Sequence, residues 1–154
     1  LDGVKVPAAG LLGGNQSDFE YGAVIDRARI AWAAMAVGAC QAVLDYVIPY
    51  CNEREAFGEP ITNRQAVAFM IADIAIELEG MRMLVYRAAS RAEQGLPIKR
   101  EAALARGFAA EKAMEIGTNG VQLLGGHGFV KEHPVELWYR HLRAIAVMEG
   151  GLLV

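Results

Sequence analysis

The run Thr62-Asn-Arg-Gln-Ala-Val-Ala-Phe-Met-Ile-Ala-Asp-Ile-Ala-Ile-Glu-Leu-Glu-Gly-Met-Arg-Met-Leu-Val-Tyr-Arg-Ala-Ala88 decides the fold. Val67, Ile71, Ile74, Leu78, Met81, Val85 and Ala88 return every three or four positions. That is the period of one face of an α-helix, not the two-residue alternation of a strand. Thr62 and Gln65 stand at capping-box spacing, so the helix is expected to open there. Gly95-Leu-Pro97 stops it, giving a helix of about 30 residues, roughly 45 Å long.

Working towards the N-terminus, Ala56-Phe-Gly-Glu-Pro-Ile61 reads as a loop by its glycine and proline. Before it, Ser17-Asp-Phe-Glu20 is a second capping box. It opens a helical pattern through Val24, Ala28, Ala31, Met35, Gly38, Cys40 and Val43, dense in small residues that allow close helix contact. Pro49 is expected to kink or interrupt this helix, which fades near Glu55. Towards the C-terminus a third helix is predicted from about Ile98 to Leu124, with Ala103, Phe108, Ala110, Met114 and Val121 on its apolar side and Gly125-Gly126 ending it. A fourth begins at His133-Pro134, with proline in its favoured first turn, and reaches about Met148. Four long helices with short loops make an all-α protein, an up-and-down four-helix bundle. Leu1-Asp-Gly-Val-Lys-Val-Pro7 alternates as a short strand would, and residues 8–16 are glycine-rich loop. The chain therefore divides into residues 1–16 and a helical domain at 17–154.

Composition narrows the function. The 154 residues are 54% hydrophobic and 21% charged, the balance of a chain with a packed core. A formal net charge of −3 argues against a nucleic-acid binder that relies on a bulk basic surface. The most lipid-like stretch, Ile30 to Ile48, is broken by Gln41 and Asp45, and reads as a buried helix and not a membrane span. Cys40 and Cys51 lack CxxC spacing and fit a reducing, cytoplasmic setting. His127, His133 and His141 are split by a loop and a proline and lack the pairing of a helical zinc site. They read as loop and cap residues, and no metal is expected. Cys40, Trp32 and Trp138 read as packing residues.

Three motifs rise above generic helix. They are Arg54-Glu-Ala-Phe57-Gly58-Glu-Pro-Ile61 followed by Gln65, then Val121-Gln122-Leu-Leu-Gly125-Gly126-His-Gly128-Phe129, and Glu149-Gly150 after the Glu132-to-Arg140 stretch. In this order and spacing they resemble the C-terminal helical domain of acyl-CoA dehydrogenases, and the resemblance covers nearly the whole chain. Residues 1–16 resemble the end of that family's middle β-domain and its linker.

The resemblance implies a part of a longer FAD enzyme that oxidises an acyl-CoA thioester to the 2-enoyl-CoA, a glutamate taking the α-proton and flavin N5 the hydride. It implies a homodimer, a tetramer or a heteromer with a related subunit, and an electron-transferring flavoprotein as acceptor. Residue by residue it makes Glu149 the base, a role that asks for a carboxylate in a dry site. Some relatives carry the base on the first helix, but that slot here is Ala28, which has no proton acceptor. Arg54, Phe57, Arg64 and Gln65 match contacts to FAD, and a guanidinium fork suits a pyrophosphate. Gln122, Gly125 and Gly126 match a second flavin contact, which the resemblance implies is made to the FAD of the neighbouring subunit, where glycines allow close approach and exposed N–H groups suit a phosphate. Asp26, Arg29 and Gly150 match positions near the acyl-CoA. The family's Glu-Gly-Thr is here Glu149-Gly150-Gly151, which removes a hydroxyl. Two other readings remain: a non-catalytic helical scaffold subunit, and a flavin oxidase or monooxygenase on the same fold.

Overall fold

The computed structural model describes residues 2–14 and 19–148. Four helices carry it: α1 (Tyr21–Glu53), α2 (Gln65–Glu93), α3 (Lys99–Leu124) and α4 (Val135–Ile145). α1 and α2 are joined by a hairpin of two-residue strands, β1 (Glu55–Ala56) and β2 (Glu59–Pro60), and a 3-10 turn at Ile61–Asn63. A second 3-10 turn, Gly125–Phe129, leads from α3 towards α4. The all-α bundle of the sequence reading is what forms, though α4 runs for only 11 residues against 33, 29 and 26 for the others.

α3 packs against all three other helices. Its buried stripe is Ala102, Ala105, Ala109, Ala113, Ile116 and Gly120, so the centre of the bundle is lined by small residues. Close approach follows. A Cβ on Gly120 would lie 2.7 Å from Val43 Cγ1 on α1, and one on Gly117 would lie 3.2 Å from Leu142 Cδ1 on α4. Ile74, Leu78, Met81 and Val85 of α2 complete the core, as its periodicity predicted.

The facing of the other helices is corrected. On α1, Val24, Met35 and Gly38 are exposed, and the buried line runs through Ile30, Ala33, Ala36, Cys40, Val43 and Val47. On α3, Ala103 is exposed and Ala102 buried. Residues 30–40 of α1 are apolar throughout and many of the apolar positions of α3 are alanine, which gives the hydrophobic period little contrast, so size complementarity chooses the face. α1 is long and apolar enough by length and composition to cross a membrane, and 39% of its most apolar window is buried inside this chain.

Boundaries differ too. Ser17 and the proposed division at residues 16 and 17 lie outside the described residues. α1 opens after Glu20, which makes no side-chain cap, and α2 opens after Arg64 without one, so neither capping box forms there as expected. Thr62 is drawn instead into the 3-10 turn. Pro49 does not interrupt α1, which continues to Glu53. Pro49 is exposed, so the carbonyl left unpaired by its missing N–H faces water, while Val47 and Cys51 stay packed. Pro134 precedes α4 as its N-cap instead of lying within its first turn. Residues 2–7 pair as no strand among the described residues; a strand needs an edge, and the only one here is the short hairpin.

Candidate cofactor and substrate clefts

The predicted site residues sort into two clefts and one exposed tip. The first motif bends at the hairpin, which the loop reading missed. Glu55 pairs with Pro60 and Ala56 with Glu59, leaving Phe57 and Gly58 as a two-residue turn. Both have positive φ, 58° and 86°, the combination a type I′ turn demands. Phe57 thus holds a conformation that side chains rarely adopt, and it is 92% exposed. The Arg64 guanidinium stacks over its ring at 5.0 Å and pairs with Glu59 at 3.4 Å. This pair forms an apolar and cationic tip. Gln65, the first residue of α2, is exposed.

Arg54 lies at the other end of the hairpin, as the C-cap of α1. Its N–H donates to the Tyr50 carbonyl at 2.9 Å, and its carbonyl accepts from Ile61 N–H at 2.9 Å. With its backbone tied on both sides, its side chain enters a cleft of about 400 Å³. Gln122, Gly125 and Gly126 line the same cleft, with Tyr50 and His127. Two motifs far apart in sequence therefore converge on one space in one chain. Among the described residues no ion pair engages the Arg54 guanidinium.

The expectation about the glycine pair needs correction. Gly125 has φ 58° and ψ −131°, and its N–H is already used, donating to the Gln122 carbonyl. Leu124 before it is αR, but a ψ of −131° takes Gly125 out of the αL region, so the two do not form the αR–αL nest that cradles a phosphate. The turn also stands at the carbonyl end of α3, where the helix dipole is negative. An anion in this cleft is drawn by Arg54. The α3 end suits donors, such as sugar hydroxyls or an amino group. A dinucleotide carrying a diphosphate and a ribose fits that donor set.

The second cleft, of about 760 Å³, opens between the start of α1 and the turn joining α2 to α3. Asp26 and Arg29 both line it, with Leu96, Pro97 and Lys99 opposite. Asp26 is buried, and Arg29 Nη1 donates to its Oδ1 at 3.3 Å. The two residues expected near the acyl-CoA are thus ion-paired to each other on the wall of this cleft. Beside this cleft, buried Glu101 is ringed by Arg91 at 3.5 Å, Arg87 at 3.7 Å and Arg100 at 3.8 Å.

Glu149 and Gly150 lie outside the described residues. The approach to them is described: buried Arg106 of α3 donates to the carbonyls of Ile145 and Met148, capping the end of α4 with a cation. Sequence reasoning missed Arg106, although an arginine amid the alanines of α3 was the signal. It also missed that His127 and His133 meet; Tyr46 and Tyr50, one turn apart on α1, were the available hint. Among the described residues no group of three or more histidines, cysteines or carboxylates could hold a metal ion.

Residues 22–152 match the family model described as the acyl-CoA dehydrogenase C-terminal domain. The mitochondrial short-chain specific acyl-CoA dehydrogenase of Bos taurus is 40% identical over 147 residues, which are 95% of this chain and 36% of that protein. The caffeyl-CoA reductase-Etf complex subunit CarC of Acetobacterium woodii is 39% identical over 151 residues, 97% of this chain and 40% of that protein. The structure of butyryl-CoA dehydrogenase from Megasphaera elsdenii superimposes with a TM-score of 0.82 at 35% identity, covering 84% of this chain and 34% of that one. The chain thus spans about two fifths of the length of the curated relatives it matches.

Proposed function

Since this chain belongs to the acyl-CoA dehydrogenase family and matches its C-terminal domain, we propose that it supplies the cofactor-holding and substrate-holding helices of an FAD-dependent enzyme that dehydrogenates an acyl-CoA thioester. The observation that carries this reading is the convergence of Arg54 with Gln122, Gly125 and Gly126 on one cleft. Arg54 holds the diphosphate, by charge and by its fork of donors. Gln122 and the carbonyl end of α3 hold the sugar side. Bound FAD supplies the acceptor for a hydride.

The acyl-CoA takes the larger cleft, with Asp26 and Arg29 fixing its pantetheine arm. Glu149 takes the α-proton of the thioester, and Gly150 lies against the substrate. A carboxylate does this work when it is held within hydrogen-bond reach and shielded from water, which raises its proton affinity. The acyl chain length is set in part by the remainder of a longer polypeptide. The Acetobacterium relative is named as a subunit of an Etf complex, and an electron-transferring flavoprotein is accordingly the proposed acceptor here. Phe69, Ile76 and Met83, exposed at seven-residue spacing on the outer face of α2, suit contact with a second subunit.

The test uses the full polypeptide that carries this domain. Acyl-CoAs of several lengths are added without oxygen while the flavin absorbance is followed, in the wild type and in Glu149→Gln. Bleaching in the wild type that the variant loses by about 10²-fold or more supports the reading. Flavin that no acyl-CoA bleaches refutes it in favour of an oxidase or monooxygenase, and absence of flavin favours a scaffold.

A further inference from the structure

Two tyrosines of α1 reach across to two histidines of the α3–α4 connection. Tyr46 Oη lies 2.7 Å from Nδ1 of His133. Tyr50 Oη lies 2.9 Å from Nδ1 of His127 and 3.4 Å from the carbonyl oxygen of Leu124. The two imidazoles stack, their centroids 5.1 Å apart and their planes 14° from parallel. The Tyr50 ring stands edge-on to both of them, and Tyr46 stands edge-on to His133 and Trp138.

These contacts bracket a short stretch of chain. Leu124 is the last residue of α3 and His127 follows two glycines later, so the Tyr50 hydroxyl is within reach of both flanks of Gly125-Gly126. A hydroxyl has one proton and two lone pairs. If it donates to Leu124, it accepts from His127; if it donates to His127, that ring is still tied to α1. His133, stacked on His127 and bonded to Tyr46, holds the imidazole from its other face. Two adjacent glycines have no side chains with which to fix themselves, and ordering them costs more backbone entropy than any other pair. A turn already held in place does not incur that cost when a ligand binds.

We propose that Tyr50, His127, His133 and Tyr46 form a clasp that positions the Gly125-Gly126 turn for the dinucleotide end of the cofactor. Tyr50 and His127 are its principal positioning residues. The proposal rests on the assignment of the Arg54 cleft to FAD. It adds that the affinity of that cleft is set in part by how Tyr50 and His127, which line it, hold the turn.

The experiment is a titration of the full apo-polypeptide with FAD, followed by flavin fluorescence, in the wild type and three variants. Tyr50→Phe keeps the ring and removes only the hydroxyl. His127→Ala removes the stack and the bond. His127→Asn returns a polar atom near the place of Nδ1. Tyr50→Phe and His127→Ala are expected to weaken FAD binding about tenfold. The melting temperature of the apoprotein should stay close to wild type, and His127→Asn should recover most of the affinity. Equal affinity in all four proteins overturns the clasp. So does an apoprotein melting temperature that falls in step with affinity while asparagine rescues nothing, because that is the mark of a merely structural contact. A wild type that takes up no FAD overturns the cleft's assignment and the clasp with it; a wild type that binds beside variants that bind equally well overturns the clasp alone.

Discussion

Val43 of α1 and Gly120 of α3 are a lock and its clearance: a Cβ at position 120 would lie 2.7 Å from Val43 Cγ1, closer than side-chain carbons stand. Val43 is fully buried, so it has little room to retreat. Gly120→Ala should destabilise the domain by about 1–3 kcal/mol. That corresponds to a fall of roughly 2–4 °C in melting temperature for each kcal/mol in a domain of this size. Adding Val43→Ala should return part of the loss, since the two substitutions share one contact. A thermal melt of the four proteins of the cycle measures it, and simple additivity would count against the clash.

Arg54 is the cation of the smaller cleft, and it is exposed, so its removal should leave the fold intact. Arg54→Met keeps the apolar stem and deletes the charge. Loss of charge-assisted hydrogen bonds of about 1.5–3 kcal/mol predicts FAD affinity lowered roughly 10- to 150-fold. The melting temperature of the apoprotein should be unchanged. Calorimetric titration with FAD and a melt without it separate the two quantities. Arg64→Met, which breaks only the exposed pairing with Phe57 and Glu59, should cost less.

The sequence was most legible where residue type and period agreed. On α2 the large apolar residues Ile74, Leu78, Met81 and Val85 repeat cleanly, and all are buried. On α1 every position from 30 to 40 is small or apolar, so period alone set Met35 on the wrong side and Ala33 aside, and on α3 many of the apolar positions are alanine. The choice there is made by fit, Gly120 against Val43 and Gly117 against Leu142, which is a property of pairs of helices. The hairpin was hidden because the signal for a type I′ turn is Asn-Gly or Asp-Gly, and here an aromatic, Phe57, takes the first position. The site motifs picked out segments that line clefts in the fold. They did not reveal that Arg54 and Gly125 share a cleft, nor that the glycine pair sits at the carbonyl end of α3.

Asp26 and Arg29 line the larger cleft as a bonded pair. If they hold the pantetheine arm, remote from the reacting carbons, their contribution is the same in the ground state and the transition state. Asp26→Asn keeps the volume and removes the charge. KM for acyl-CoA should rise by about tenfold, with kcat within about twofold of wild type. Steady-state kinetics of the full polypeptide decide it. A fall in kcat with KM unchanged would move Asp26 into the chemistry and away from the arm.

Cys40 is fully buried between α1 and the rest of the core, and burial pushes its thiol up from 9.0 to about 12. Cys51, also buried, is raised for the same reason. Thiolate is the reactive form, so neither thiol should react with a thiol reagent in the native protein, and both should react after unfolding. The sign of the pH effect follows from the raised value. The folded state favours the protonated thiol, so this contribution to stability is whole below about pH 9 and is lost as pH climbs towards about 12. The loss is at most about 1.4 kcal/mol per pH unit for one proton. Cys40→Ala cannot show it. The variant should be less stable than wild type at neutral pH through lost packing, and the gap between the two should narrow from pH 9.0 upwards. Denaturant midpoints measured across that range test the point: a gap that stays constant would mean that the Cys40 thiol ionises as easily in the folded chain as in the unfolded one.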